Sequence, residues 1–258
     1  MKRENDRAAR AGVTLLLTAT VDVGRTPLVA RANPSMRLDD YRVALRKWAL
    51  DESVGSIVFC ENSGFDLSGL QDVAARASGG RKRIEFLSFD DRAVESKRGK
   101  GWGEMRILDH ILTRSRLARD NDKFLKVTGR YYVRNATRLI RYLGTHRDVD
   151  ICCDLQRGMT YCDSRVFGGT VGFLERYVCS RASEIDDSQG IWFEHVLARA
   201  VLRAMSDGLR FSLLPCLPLV EGVSGSTNQR FGRSVADRLL GPMKTFVKWY
   251  TWLGRLPR

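Results

Sequence analysis

The sequence predicts an α/β fold with a mainly parallel central sheet flanked by helices, and three observations predict it. Short apolar runs at Val13–Ala19, Ser56–Cys60 and Ile84–Phe89 alternate with helical patterns beginning at Asp39 and Leu67. A strand–helix–strand–helix–strand order is the signature of a doubly wound parallel sheet. The chain has 258 residues, 43% hydrophobic and 28% charged, which is ordinary globular usage and enough length to bury a sizeable core.

Val13–Ala19 follows basic residues and imitates a signal peptide. It is short, threonine-rich and soon reaches Asp22 without a convincing cleavage site, so it reads as the first buried strand. Thr20–Pro34 is rich in turn formers and reads as a loop. From Asp39 the residues Tyr41, Leu45 and Trp48 recur at helical spacing, with Asp39 or Asp40 placed to cap the start. The second strand ends in the polar stretch Glu61-Asn62-Ser63-Gly64. The second helix, Leu67–Ala77, is stopped by Gly79-Gly80. A basic, glycine-rich segment, Ser96–Gly103, leads into a helix with Met105, Leu108, Ile111 and Leu112 on one stripe. Lys123–Thr128 and Val149–Leu155 are the fourth and fifth strands, and Arg165–Val171 is a candidate sixth. Ser188–Met205 is a long helix, apolar over most of its circumference and therefore buried. Phe211–Val220 reads as extended. The small-residue loop Gly222–Asn228 marks a boundary between a catalytic domain, 1–228, and a basic amphipathic segment, 229–258.

The net charge is +13. Such a balance favours an anionic partner: nucleic acid, an acidic membrane surface or phosphorylated small molecules. From Arg230 to Arg258 there are seven Lys or Arg and one acid, Asp237, so nearly half of the excess sits in a short tail. That tail carries Met243, Phe246, Val247, Tyr250 and Leu253 on one side, with Trp249 and Trp252 beside Lys244, Lys248 and Arg255. Basic residues with interfacial aromatics fit a helix lying on an anionic bilayer; a helix packed on its own domain is the alternative. No run reaches the roughly 20 apolar residues of a membrane-spanning helix. The six cysteines are scattered, with no metal-like grouping, as in a reduced cytoplasmic protein.

Sheets of this class bind ligands beyond the carboxyl ends of their strands. Glu61 and Asn62 follow a buried strand directly, and an acceptor-plus-amide pair there suits a base or ribose; a polar turn is the alternative. Gly99-Lys100-Gly101-Trp102-Gly103-Glu104 joins three glycines and a lysine to a helix start, a combination suited to phosphate or sugar contact; a flexible surface loop is the alternative. Lys126-Val127-Thr128-Gly129-Arg130 places a cation on each side of a Thr-Gly strand end, where fixed positive charge can stabilise a departing diphosphate; an edge strand with solvated basic groups is the alternative. Glu194 has Ile191, Leu197 and Val201 at helical spacing around it, which suits a base that deprotonates a hydroxyl; an ion-paired surface glutamate is the alternative. Asp163, Asp186 and Asp187 are rival bases, and Asp187 is also placed to cap the helix. The DxD at Asp148-Val149-Asp150 precedes an apolar strand instead of following one, where hydrated loop residues are the plainer reading, so a divalent Mn or Mg ion is not expected. No Ser or Cys has a nucleophile-elbow context.

Three segments together, FCENSG (Phe59–Gly64), GKGWGE (Gly99–Glu104) and KVTGRYYVRN (Lys126–Asn135), resemble a group of bacterial GT-A-type glycosyltransferases that build O-antigen and capsular polysaccharides. The order and spacing agree over roughly residues 13–200. The resemblance implies a GT-A-type, Rossmann-like fold, a sugar-nucleotide donor linked to uridine, a lipid-linked glycan acceptor and no nucleic acid. Galactofuranosyl transfer is one activity among such enzymes. Carried over by position, Thr18, Glu61 and Asn62 face the nucleotide. Lys100, Gly101, Glu104, Lys126, Thr128, Gly129 and Arg130 lie by the diphosphate and sugar, and Asp163, Arg165, Asp187 and Glu194 by the acceptor. The expected enzyme is an inverting hexosyltransferase, peripheral on the cytoplasmic face of a bacterial membrane. Two rivals are a nucleic-acid-binding protein, whose affinity falls steeply with salt, and a nucleotidyltransferase, which needs acidic metal ligands at strand ends.

Overall fold

Val13–Ala19 forms β1, the strand about which the molecule is built; its residues Leu15, Leu16 and Leu17 are buried on both faces. The computed structural model describes residues 12–232, apart from 25, 28 and 93–97. The elements in order are β1, α1 (Pro34–Leu50), β2 (Ser56–Glu61), α2 (Ser68–Ser78), β3 (Arg83–Ser88), α3 (Lys100–Arg114), α4 (Leu117–Asp120), β4 (Lys123–Thr128), β5 (Tyr131–Val133), α5 (Ala136–Thr145), β6 (Ile151–Cys153), β7 (Leu155–Gln156), β8 (Tyr161–Cys162), β9 (Val166–Thr170), α6 (Phe193–Ser206), β10 (Phe211–Leu213), β11 (Val220–Val223) and β12 (Arg230–Phe231).

Seven strands make the central sheet in the order β10-β6-β9-β4-β1-β2-β3. Strands β3, β2, β1 and β4 run parallel, as do β6 and β10, and β9 is antiparallel to both its neighbours. The sheet is therefore mainly parallel and flanked by helices, the fold class expected from the sequence. Alternate residues of β1 feed two cores. Leu15 and Leu17 pack with Tyr41, Leu45 and Trp48 of α1, and with Leu139 and Leu143 of α5. Leu16 faces Met105, Leu108 and Ile111 of α3, and Val196, Leu197 and Val201 of α6. A second sheet, β12-β11-β5, lies against α1.

Several boundaries differ from the sequence reading. Helix α1 starts at Pro34, not at Asp39: the Asn33 side chain accepts from the Met36 N–H at 3.1 Å, and Pro34 needs no donor at the first helical position. Asp39 and Asp40 instead pair with Arg42 and Arg31. The long helix begins at Phe193, and Asp186 caps a short turn before it by accepting from the Ser188 N–H at 3.0 Å. In β9, Gly168 and Gly169 admit two neighbouring strands: a Cβ there would meet Phe124 O at 2.7 Å and Asp150 O at 2.4 Å. The β11–β12 hairpin pairs Gly222 with Phe231 and Val223 with Arg230, on either side of the boundary expected at 229. Of that basic segment, residues 233–258 lie outside the described residues. No helix among the described residues is long and apolar enough to cross a membrane.

Candidate active site

The carboxyl ends of β1 and β4 open into a cleft of about 460 Å³. One set of lining residues comes from the first half of the chain: Thr18 at the end of β1 and Thr20 just beyond it, Arg37 and Tyr41 from α1, Lys100 and Glu104 from the first turns of α3, and Thr128 at the end of β4 with Arg130 just beyond it. A second set comes from the β7–β8 hairpin and the strands and helix after it: Gln156, Arg157, Tyr161, Asp163, Ser164, Arg165 and Glu194. Ser224–Thr227 and Phe231 line it too. Strand β9 runs antiparallel, so its preceding turn, Asp163-Ser164-Arg165, falls at the same sheet edge as the end of β4.

Tyr41 organises the cationic side. Its hydroxyl donates to Thr20 O (3.1 Å) and accepts from the Thr20 N–H (2.9 Å), from Arg37 Nη2 (3.3 Å) and from Arg130 Nη1 (3.1 Å). Arg37 is buried and also donates to Thr20 O at 2.7 Å. The buried Nε of Arg130 has no hydrogen-bond partner among the described residues. A guanidinium N–H desolvated without an acceptor costs free energy. Lys100 reaches across to Ser226 Oγ at 2.6 Å.

Beneath this side lies a buried ion pair. The Lys126 ammonium, 0% exposed, donates to Glu104 Oε1, to Ser164 O (2.6 Å) and to Thr128 Oγ1 (3.3 Å). Thr18 Oγ1 donates to the same Glu104 oxygen at 3.4 Å. Glu104 is thus fixed from below while its side chain lines the cleft.

The carboxylates of the second set differ. Burial acts to raise the Asp163 pKa, but its hydrogen bonds to Arg165 outweigh this and hold it below the usual carboxylate value. Its ion pair with Arg165 Nη2 is 2.5 Å. Glu194, in the first turn of α6, accepts one hydrogen bond, 2.8 Å, from Ser164 Oγ. Tyr161 feels both charges. Burial, then the charges of Glu194 and Asp163, push its phenol up to about 12.

Eight of the residues singled out in the sequence therefore share one cleft: Thr18, Lys100, Glu104, Thr128, Arg130, Asp163, Arg165 and Glu194. The other six do not line it. Glu61 is 0% exposed and spends its carboxylate on the Val21, Ser63 and Phe65 N–H groups and on Ser63 Oγ, tying the β1 and β2 ends together. Asn62 accepts from Thr20 Oγ1 at 2.6 Å. Lys126 lies under the floor. Gly129 packs on β1, where a Cβ would meet Thr18 O at 2.8 Å. The close approach that Gly99 and Gly101 permit is to Asp187: a Cβ on either would lie 2.4 Å and 2.7 Å from Asp187 atoms. Asp187 Oδ2 accepts the Gly101 N–H at 3.1 Å, and burial raises its pKa. Asp148 and Asp150 engage Arg210 at the start of β6, away from the cleft. No group of three or more His, Cys, Asp or Glu suited to a metal occurs among the described residues.

No family model matches the chain, and no curated protein matches it. Among solved structures it is similar to the galactosyltransferase LgtC in complex with donor and acceptor sugar analogues, at 15% identity and a TM-score of 0.47, covering 78% of this chain and 73% of that one. A mannosyltransferase from Pyrobaculum calidifontis, in complex with GDP-Man and Mn2+, follows at 12% and 0.46, over 96% and 65%. A cytidylyltransferase from Leptospira borgpetersenii stands at 11% and 0.45, over 82% of each chain. Likenesses this distant transfer no activity.

Sequence reasoning missed Arg37, Tyr41, Tyr161, Arg157, Ser164 and the 224–231 wall. Tyr41 was hidden because its spacing with Leu45 and Trp48 reads as an apolar stripe; the Arg37-x-x-x-Tyr41 spacing, which puts guanidinium and phenol on one helix face, was the available signal. Nothing local marks Ser164 or Phe231, which reach the cleft through the topology.

Proposed function

We propose that this chain is a glycosyltransferase that moves a sugar from a nucleotide-diphosphate donor, read as uridine-linked, to a hydroxyl of a glycan acceptor. The observation that carries the reading is the cleft itself: Arg130, with an unpartnered buried Nε, and Lys100 share it with Glu194 and a glutamate, Glu104, braced by a buried lysine. Cations fixed at a strand edge stabilise the charge that develops on a departing diphosphate, at no reorganisation cost during the reaction. The acceptor O–H gives its proton to Glu194 as the oxygen attacks the anomeric carbon. The bond from that carbon to the phosphate oxygen breaks, and its electron pair leaves on the diphosphate beside Arg130 and Lys100. Glu194 suits the base role better than Asp163, whose oxygens are held by Arg165. Glu104 would accept a hydroxyl of the transferred sugar.

The lipid-linked acceptor, the inverting outcome and residence at the inner face of a bacterial membrane belong to the same reading and rest on the resemblance and on the basic composition of 229–258. The test is a thermal-shift panel of nucleotide sugars, with Mn²⁺ and with EDTA, followed by transfer assays using the stabilising donor. Stabilisation by one diphosphate sugar together with glycosyl transfer is expected. Release of pyrophosphate from a nucleoside triphosphate would instead favour a nucleotidyltransferase.

A further inference from the structure

The second set of cleft residues contains a cation that the proposed reaction does not use. Arg157 has no ion pair or side-chain hydrogen bond among the described residues; its guanidinium lies over the Tyr161 ring, 4.5 Å from the centroid. Its neighbour in the cleft, Arg165, is occupied by Asp163. The backbone that presents Arg157 is unusual: Arg157, Gly158 and Met159 have φ of +51°, +65° and +69°. Two non-glycine residues in the left-handed region mark a hairpin whose shape is held at a cost. The surface continues past Tyr161, whose ring meets His195 edge-on at 5.9 Å. His195 stacks on Trp192 at 5.3 Å and 13°, and Trp192 is 40% exposed. Glu194 lies within this group, its charge acting on Tyr161.

We infer that this wall is the acceptor subsite and that it selects an anionic saccharide, the acidic group docking on Arg157 and a sugar ring resting against the Trp192 surface. The inference rests on the glycosyltransferase reading and adds the acceptor's chemistry to it. An unpaired guanidinium beside the proposed base is complementary to a carboxylate or phosphate on the molecule that brings the attacking hydroxyl. Its stacking on Tyr161 fixes the fork without consuming its donors. Arg157 is exposed, so a neutral acceptor would leave its guanidinium to water.

The test measures binding, so it does not depend on turnover. Methyl glucuronoside, methyl glucoside and a hexose phosphate are titrated onto the full chain by ligand-observed NMR, with excess UDP present so that the phosphate probe does not occupy a diphosphate site. An acidic probe is expected to bind about tenfold or more tightly than the neutral one, the scale of one charge-assisted contact. The Arg157→Gln variant should bring that ratio to near one, Arg157→Lys should keep part of it, and Trp192→Ala should weaken all three probes alike. Preference for the glucuronoside names a uronate acceptor, and preference for the phosphate names a phosphorylated one. Equal binding of acidic and neutral probes to the wild-type chain, or a preference that survives in a folded Arg157→Gln protein, overturns the inference. If UDP itself does not bind, the uridine-linked donor of the proposed function fails first.

Discussion

Replacing Lys126 by methionine tests whether Glu104 is braced from below as the structure shows. The substitution keeps the length and apolar body of the side chain and deletes an ammonium with three acceptors: Glu104 Oε1, Ser164 O and Thr128 Oγ1. Removing one partner of a buried ion pair costs about 3–5 kcal/mol, because the other charge is left uncompensated. The Glu104 side chain is 18% exposed to the cleft, so water partly solvates the orphaned carboxylate and the lower end, about 3 kcal/mol, is expected. For a chain of this length that is a fall in Tm of roughly 6–12 °C. The Glu104→Gln change removes the charge from the other side, and the double variant leaves no isolated ion. A double-mutant cycle by urea denaturation should therefore return a coupling of about 2 kcal/mol, the double variant being more stable than Lys126→Met alone. Additive losses, or a Lys126→Met protein within about 0.5 kcal/mol of wild type, would refute the buried-pair argument.

Gly129→Ala should destabilise by about 1–3 kcal/mol, since its methyl group would press on Thr18 O, a backbone atom of the central strand, and on the Tyr41 ring; thermal unfolding checks it, and a neutral result would show that the β1–β4 end can spread. The Asp163–Arg165 pair carries a pH signature. The folded pKa of Asp163 is depressed, so its contribution is complete above the ordinary carboxylate range and is lost as pH falls below it towards the folded value. Arg165→Met should flatten the stability–pH profile below about pH 4, and an unchanged acid limb would contradict it. Asn33→Ala should cost about 1 kcal/mol by removing the cap of α1, read from urea midpoints.

The parallel half of the sheet was legible because β1, β2, β3 and β4 are short apolar runs set between helical patterns, and such runs need no partner to be recognised. The start of α1 was not, because Asn33-Pro34 looks like a turn until the helix it opens is seen. The direction of β9 was hidden for another reason: Val166-Phe167-Gly168-Gly169 carries no alternation, and its glycines answer to backbones distant in sequence. At the site, residues on strand ends and helix starts, such as Thr18, Lys100 and Arg130, could be placed from order alone. Glu61 and Gly101 hold the same kinds of strand-end and helix-start position but turn inward, to the Val21 amide and to Asp187. Whether a polar strand-end residue faces a cleft or ties two loops together depends on the neighbouring loop, which is not local information. The 224–231 wall joins the cleft through β11 pairing with β5, a long-range contact that no local pattern announces.

In the proposed function, Arg130 and Lys100 hold a diphosphate at the carboxyl edge of β1 and β4. Calorimetric titration of UDP, UMP and uridine onto the wild-type chain and the Arg130→Gln variant tests it most directly. UDP is expected to bind well above uridine, and Arg130→Gln to lower UDP affinity by about tenfold or more, the scale of a charge-assisted hydrogen bond, with uridine little changed. UDP binding of equal strength in both proteins, or uridine bound as tightly as UDP, would contradict it.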